Sequence, residues 1–148
     1  MKVFLDTNII ISYLDSQRAD HKETVELILG LYETNILMIL SQDIMTNVIY
    51  NCINRKEAVE FFQTINSDSH FRIVAFSKDM IDLACKKYLE NSNFSKKSDF
   101  EDILQYFCAL ENECERIYTN DKSTFPKLDI PLYDSSKKPF CLAKPKTL

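Results

Sequence analysis

Four groups of polar residues are spaced so that they could share one reaction. Asp6 is followed by Thr7 and Asn8, Ser41-Gln42-Asp43 precedes Asn47, Asp99 and Asp102 stand at i, i+3, and Thr119-Asn120-Asp121 is continuous. Carboxylates brought together without a cation repel by several kcal/mol, on the order Coulomb's law gives at low effective dielectric. A hard divalent ion removes that penalty. An oxygen-only donor set without paired His or Cys suits magnesium or manganese. An ion held there can acidify a bound water and polarise an electrophile, with no protein nucleophile. The chain offers no Ser-His or Cys-His arrangement around its two histidines, His21 and His70. Asp43 and Asp99 also fall in first helical turns, where any acid gains about 0.3–1 kcal/mol from the helix dipole.

The elements that must carry these residues alternate along the chain. Lys2 to Leu5 reads as a buried strand, and Val25, Ile28, Leu29 and Tyr32 mark a helix face. Ile36 to Leu40 is a second strand, and Ser41 caps a helix with Ile44, Met45, Val48, Ile49 and Cys52 inward. A helix through Ala58, Phe61, Phe62 and Ile65 leads to a strand at Phe71 to Phe76, then to a helix with Ile81, Ala84, Cys85 and Tyr88 inward. Ser98 and Glu101 form a capping-box pattern for a helix with Phe100, Ile103, Leu104 and Phe107 inward. Glu115 to Thr119 and Ile130 to Tyr133 complete the strands. This alternation implies a three-layer α/β/α sandwich on a mostly parallel sheet, with ligands beyond the carboxyl ends of its strands. All four polar groups fall at that edge. Residues 1–134 read as one domain, and residues 135–148, rich in Lys and Pro, as a weakly ordered tail.

Composition narrows the field further. The 148 residues are 45 % hydrophobic, which suits a globular core rather than disorder. Gly30 is the single glycine, so neither a Walker loop nor a dinucleotide fingerprint can form. Five cysteines with no C-x-x-C pair read as free thiols of a cytoplasmic protein. The apolar run Ile36 to Leu40 ends after five residues, far short of a membrane span. Asp6 interrupts the first apolar stretch, so no secretory signal is expected. The net charge of −4 argues against a broad basic coat and leaves room for local patches. Lys86, Lys87, Lys96 and Lys97, with Lys137, Lys138, Lys144 and Lys146, are the cations available to track a phosphate backbone.

Two blocks carry a recognisable pattern: VFLDTNIIISYLD at the start, and SDFEDILQYFCALENECERIYTND followed by Phe125. Together they resemble PIN domains of the bacterial toxin type, over about Lys2 to Tyr133. The resemblance implies a metal-dependent ribonuclease acting on RNA, often homodimeric, whose antitoxin partner inserts a segment over the acidic site. It implies that Asp6 is the first acid, with Thr7 and Asn8 beside it. Asp102 matches the third acid, because Ala109 fits the family's small position seven residues on, and Asp99 is an additional acid. Asp121 matches the fourth, with Thr119 orienting the site. The metal set expected on this basis is Asp6, Asp99, Asp102 and Asp121. The family's second acid is usually a glutamate six residues after the Ser that opens the second-strand helix, and here Asn47 stands in that slot. An amide ligates without charge. The departure therefore opens an alternative, a PIN-fold RNA- or protein-binding module with weakened turnover.

Overall fold

The computed structural model describes residues 1–90 and 99–141. Its elements run β1 (Lys2–Leu5), α1 (Thr7–Leu14), α2 (His21–Glu33), β2 (Leu37–Ser41), α3 (Gln42–Asn51), α4 (Arg55–Asn66), β3 (Phe71–Val74) and α5 (Lys78–Glu90). After the interval come α6 (Phe100–Glu111), β4 (Arg116–Tyr118), β5 (Leu132–Tyr133) and β6 (Pro139–Cys141). The sheet order is β3-β2-β1-β4-β5-β6, with every pair parallel except the last. This is the α/β/α sandwich with a mostly parallel sheet that the alternation implied.

β1 lies between β2 and β4, and Val3, Phe4 and Leu5 are fully buried with Met38, Ile39, Leu40 and Ile117. Strands covered on both faces need continuous apolar runs rather than alternation, which is why these two segments were readable. The chain leaves β1 toward β2 and β3, then returns across the sheet to β4 on the other side of β1. Right-handed crossovers in opposite directions put their helices on opposite faces. The packing agrees: α1 contacts α2 and α3, α3 contacts α4, and α5 packs on α6. The gap between β1 and β4 is thus the topological switch point, where open parallel sheets bind ligands.

Two helices turn a different face inward from the one expected, and on α6 Phe100, expected inward, is exposed and packs edge-on against Tyr88. α2 buries Thr24, Leu27, Ile28 and Leu31, leaving Leu29 and Tyr32 exposed. α5 buries Met80 and Ala84, while Ile81 and Cys85 lie outside. Both sequences carry two overlapping apolar stripes, and packing against neighbouring elements selects between them. Tyr32 instead stacks on His70, with ring centroids 3.8 Å apart. Ser98 lies outside the described residues, and the N-cap of α6 is Asp99. Of residues 135–148, residues 135–141 turn back and add β6 to β5, and residues 142–148 lie outside the described set. Among the described residues no helix is long and apolar enough to cross a membrane.

Candidate active site

Asp6 is the single residue between β1 and α1. Its backbone N–H continues the ladder to Tyr118 O at 3.0 Å, and its extended φ and ψ of −74° and 161° make it the N-cap of α1. One carboxylate oxygen accepts from Thr7 N at 2.6 Å. The other accepts from Thr119 Oγ1 at 2.7 Å and Asn8 Nδ2 at 2.9 Å. Asn8 also accepts from Asn120 N at 2.9 Å, tying the end of β1 to the end of β4. Thr119 is a hub: besides donating to Asp6, its hydroxyl accepts from Asp121 N at 3.0 Å and from Asn8 Nδ2 at 3.2 Å. Despite these bonds, burial pushes the Asp6 carboxyl up to about 7, with the nearby Asp102 and Asp121 adding to the rise.

Asp102 and Asp121 meet through Thr124, whose hydroxyl lies 2.8 Å from Asp102 Oδ2 and 2.5 Å from Asp121 Oδ2. One hydroxyl proton cannot serve two carboxylates at once. Burial raises Asp102 to about 6, opposed by the Thr124 bond and reinforced by the charges of Asp121, Asp99 and Asp43. Asp121 is held below the ordinary range. Burial works against this, but hydrogen bonds from Thr124 and Ser123, including both backbone N–H groups, outweigh it.

A cleft of about 360 Å³ opens over these groups, lined among others by Asp6, Asn8, Arg18, Asn47, Glu101, Asp102, Gln105 and Asp121. Across it from β1 and β4 stands a second polar cluster. Asn47 Nδ2 donates to Glu101 Oε1 in a short contact. Gln105 Nε2 donates to Asp43 Oδ2 at 2.8 Å and more weakly to Glu101 Oε1 at 3.4 Å. Ser41 Oγ donates to Asp43 Oδ1. Burial, then hydrogen bonding and charge from Asp43, push Glu101 up to about 7. Gln105 is 1 % exposed, and its Oε1 has no hydrogen-bond partner. An orphaned buried acceptor costs about 1–3 kcal/mol unless something donates to it.

The structure therefore brings Asp6, Thr7, Asn8, Asn47, Asp102, Thr119 and Asp121 to one edge of the sheet. Asp99 does not join them: it is exposed, and its carboxylate accepts from Glu101 N at 3.0 Å as the cap of α6. Asp43 does not line the cleft either but holds Gln105 from the first turn of α3. Of the lysines put forward for phosphate contact, Lys86, Lys87, Lys137 and Lys138 do not line it, and the other four lie outside the described residues. Arg18 is the cation at its rim. His21 bonds Ser12 O, and His70 bonds Asp68 and Asn35, both away from the cleft. Sequence reasoning missed Thr124, Gln105, Arg18 and Glu101. The D-x-S-T spacing from Asp121 was a usable signal for Thr124. Glu101 was read as a capping-box partner.

With this geometry in place, similarity to known proteins decides the family. A PIN domain model matches residues 3–131. The chain belongs to the PIN-domain family. A curated relative, "Ribonuclease VapC1" of Aquifex aeolicus, is 31 % identical over 132 residues, covering 87 % of this chain and 88 % of that one. Among solved structures, the Mycobacterium tuberculosis VapC20, described as a sarcin-ricin loop cleaving toxin, superposes with a TM-score of 0.66 at 14 % identity. It covers 81 % of this chain and 90 % of its own. A toxin-antitoxin complex from Klebsiella pneumoniae gives 0.56 at 19 % identity, over 80 % and 86 % of the two chains. These structural likenesses carry the PIN fold.

Proposed function

We propose that this PIN-domain protein is a Mg²⁺- or Mn²⁺-dependent endoribonuclease that hydrolyses RNA phosphodiester bonds, and the toxin of a toxin–antitoxin pair. The observation that carries the reading is the trio Asp6, Asp102 and Asp121 at the β1/β4 switch point, in a chain related to a ribonuclease over most of its length. The donor chemistry fits a divalent ion: all oxygen, mutually repelling, with two carboxyls pushed upward by burial and by neighbouring carboxylates and one buried acceptor unmet. Among the described residues no three acids, histidines or cysteines stand close enough to share an ion as placed; Thr124 lies between the Asp102 and Asp121 carboxylates, and Thr119 holds Asp6.

Asp6, Asp102 and Asp121 would hold the ion. When bound, it supplies polarisation of the scissile phosphate and a lowered pKa for the attacking water. Thr119 and Asn8 fix Asp6 in one orientation, and Thr7 N–H holds its second oxygen. Arg18 at the rim can meet a neighbouring phosphate of the strand. In this reading an antitoxin segment covers the acidic cleft, and the protein pairs with itself.

Incubation of the full chain with mixed single-stranded RNA and Mn²⁺ tests the proposal. Cleavage by the native protein that disappears in Asp6→Asn supports it, and no cleavage in either overturns it. Asn47 favours one second reading, a binding module without turnover. Cleavage only after Asn47→Glu would select that reading.

A further inference from the structure

We infer that Glu101, on α6, carries the carboxylate that α3 lacks at Asn47, and that together with Gln105 it faces a hydrated divalent cation in the cleft. The inference rests on the metal-dependent reading above. Asn47 and Glu101 are in direct contact through Asn47 Nδ2 and Glu101 Oε1. The negative charge has thus moved from one wall helix to the other by the length of a side chain, without leaving the cleft. Both residues line the cleft with Asp6, Asp102 and Asp121.

A capping role does not explain Glu101. Its backbone N–H is taken by Asp99, while its side chain turns into the cleft. Two amides hold it there: Asn47 Nδ2, and Gln105 Nε2 at 3.4 Å. Gln105 is itself anchored on Asp43, which Ser41 holds in turn. A glutamate at position 47 would set two carboxylates against each other, so the acid can sit on α3 or on α6 but not comfortably on both.

Gln105 identifies what the wall faces. Gln105 lines the cleft, and its buried Oε1 receives no donor. A phosphate oxygen brings no proton to it and is repelled by the carboxylates around it. A cation carrying its own waters meets both needs, with positive charge for Glu101 and an O–H donor for Gln105. Asp43 and Gln105 are accordingly positioning residues for Glu101.

Mn²⁺ binding to the full chain, read from the free-ion EPR signal, tests this without relying on turnover. Glu101→Gln should weaken Mn²⁺ binding by about 10-fold or more, the size seen when an ion's supporting groups are removed. The relocated pair Asn47→Glu with Glu101→Gln should recover most of it. Thermal melting of the apo variants confirms folding. If Glu101→Gln does not fold, Glu101→Asp, which keeps the charge on a shorter arm, should bind Mn²⁺ measurably more weakly than native protein. Native affinity in Glu101→Gln or Glu101→Asp, or a loss that relocation does not restore, overturns the assignment. Failure of the native protein to bind Mn²⁺ at all overturns the metal-dependent reading instead, so the two failures are told apart.

Discussion

On the wall built by β1 and β4, the Asp6 carboxylate accepts hydrogen bonds from Thr7, Asn8 and Thr119, and the Thr119 hydroxyl is itself met on every side. On the facing wall of α3 and α6, Glu101 leans on two amides, Asp43 crowds it, and Gln105 Oε1 meets nothing. The first wall grows out of the fully buried centre of the sheet and is complete as the protein folds. The second hangs on helix starts and has an acceptor left over. One wall is preorganised by the fold, and the other keeps an acceptor unmet. Catalytic sites gain from the first kind of order because no reorganisation is needed during reaction.

The sharpest way to break this contrast is at Asp6. Asp6→Asn should lower Mn²⁺-dependent RNA cleavage by at least about 100-fold in a single-turnover assay. The same variant should be more stable than the native protein without metal at pH 8. The sign follows from linkage: a carboxyl raised from 3.8 to about 7 binds its proton more tightly folded than unfolded, so apo stability falls as pH rises from about 4 to about 7. Asparagine removes that loss, an expected gain of roughly 2 kcal/mol by urea unfolding. Next in size, Thr119→Val strips the preorganised wall of its hub and leaves buried partners unpaired, for an expected cost of about 2–3 kcal/mol. On the incomplete wall, Gln105→Met removes both an orphaned oxygen and a bond to Asp43. These effects oppose, so apo stability should move by less than about 1 kcal/mol while Mn²⁺ affinity falls. The smallest effect is at Thr124→Val. Losing a hydroxyl that lowers Asp102 should move its carboxyl titration, followed by carbon-detected NMR, further above its value of about 6.

The same contrast governs what could be read from sequence. Asp6, Thr119 and Asp121 follow directly from buried strands, and a strand's apolar run fixes where its carboxyl end lies. Lys2 to Leu5 and Ile36 to Leu40, the latter one residue ahead of the observed Leu37–Ser41, were legible for that reason. Helix phase was not. The stripes Val25-Ile28-Leu29-Tyr32 and Leu27-Ile28-Leu31 share residues, and only the packing partner selects one. Glu101 suffered from the same limit, because the D-F-E-D run places acids at three successive angles around α6. Asp99 went to the cap, Asp102 to Thr124 and Glu101 to Asn47, a division set by what stands opposite each one. Contacts that cross 54 or 62 positions, as Asn47–Glu101 and Asp43–Gln105 do, leave no local trace.

The arrangement of the outer strands bears on how copies of this molecule can meet. On one side the antiparallel β6 follows the parallel run, and on the other the sheet ends at β3, four residues long with the exposed Arg72 within it. A short border strand carrying a charge is a poor template for a neighbour's backbone. Sheet-to-sheet extension at β3, the route by which many open sheets aggregate or fuse, is blunted there.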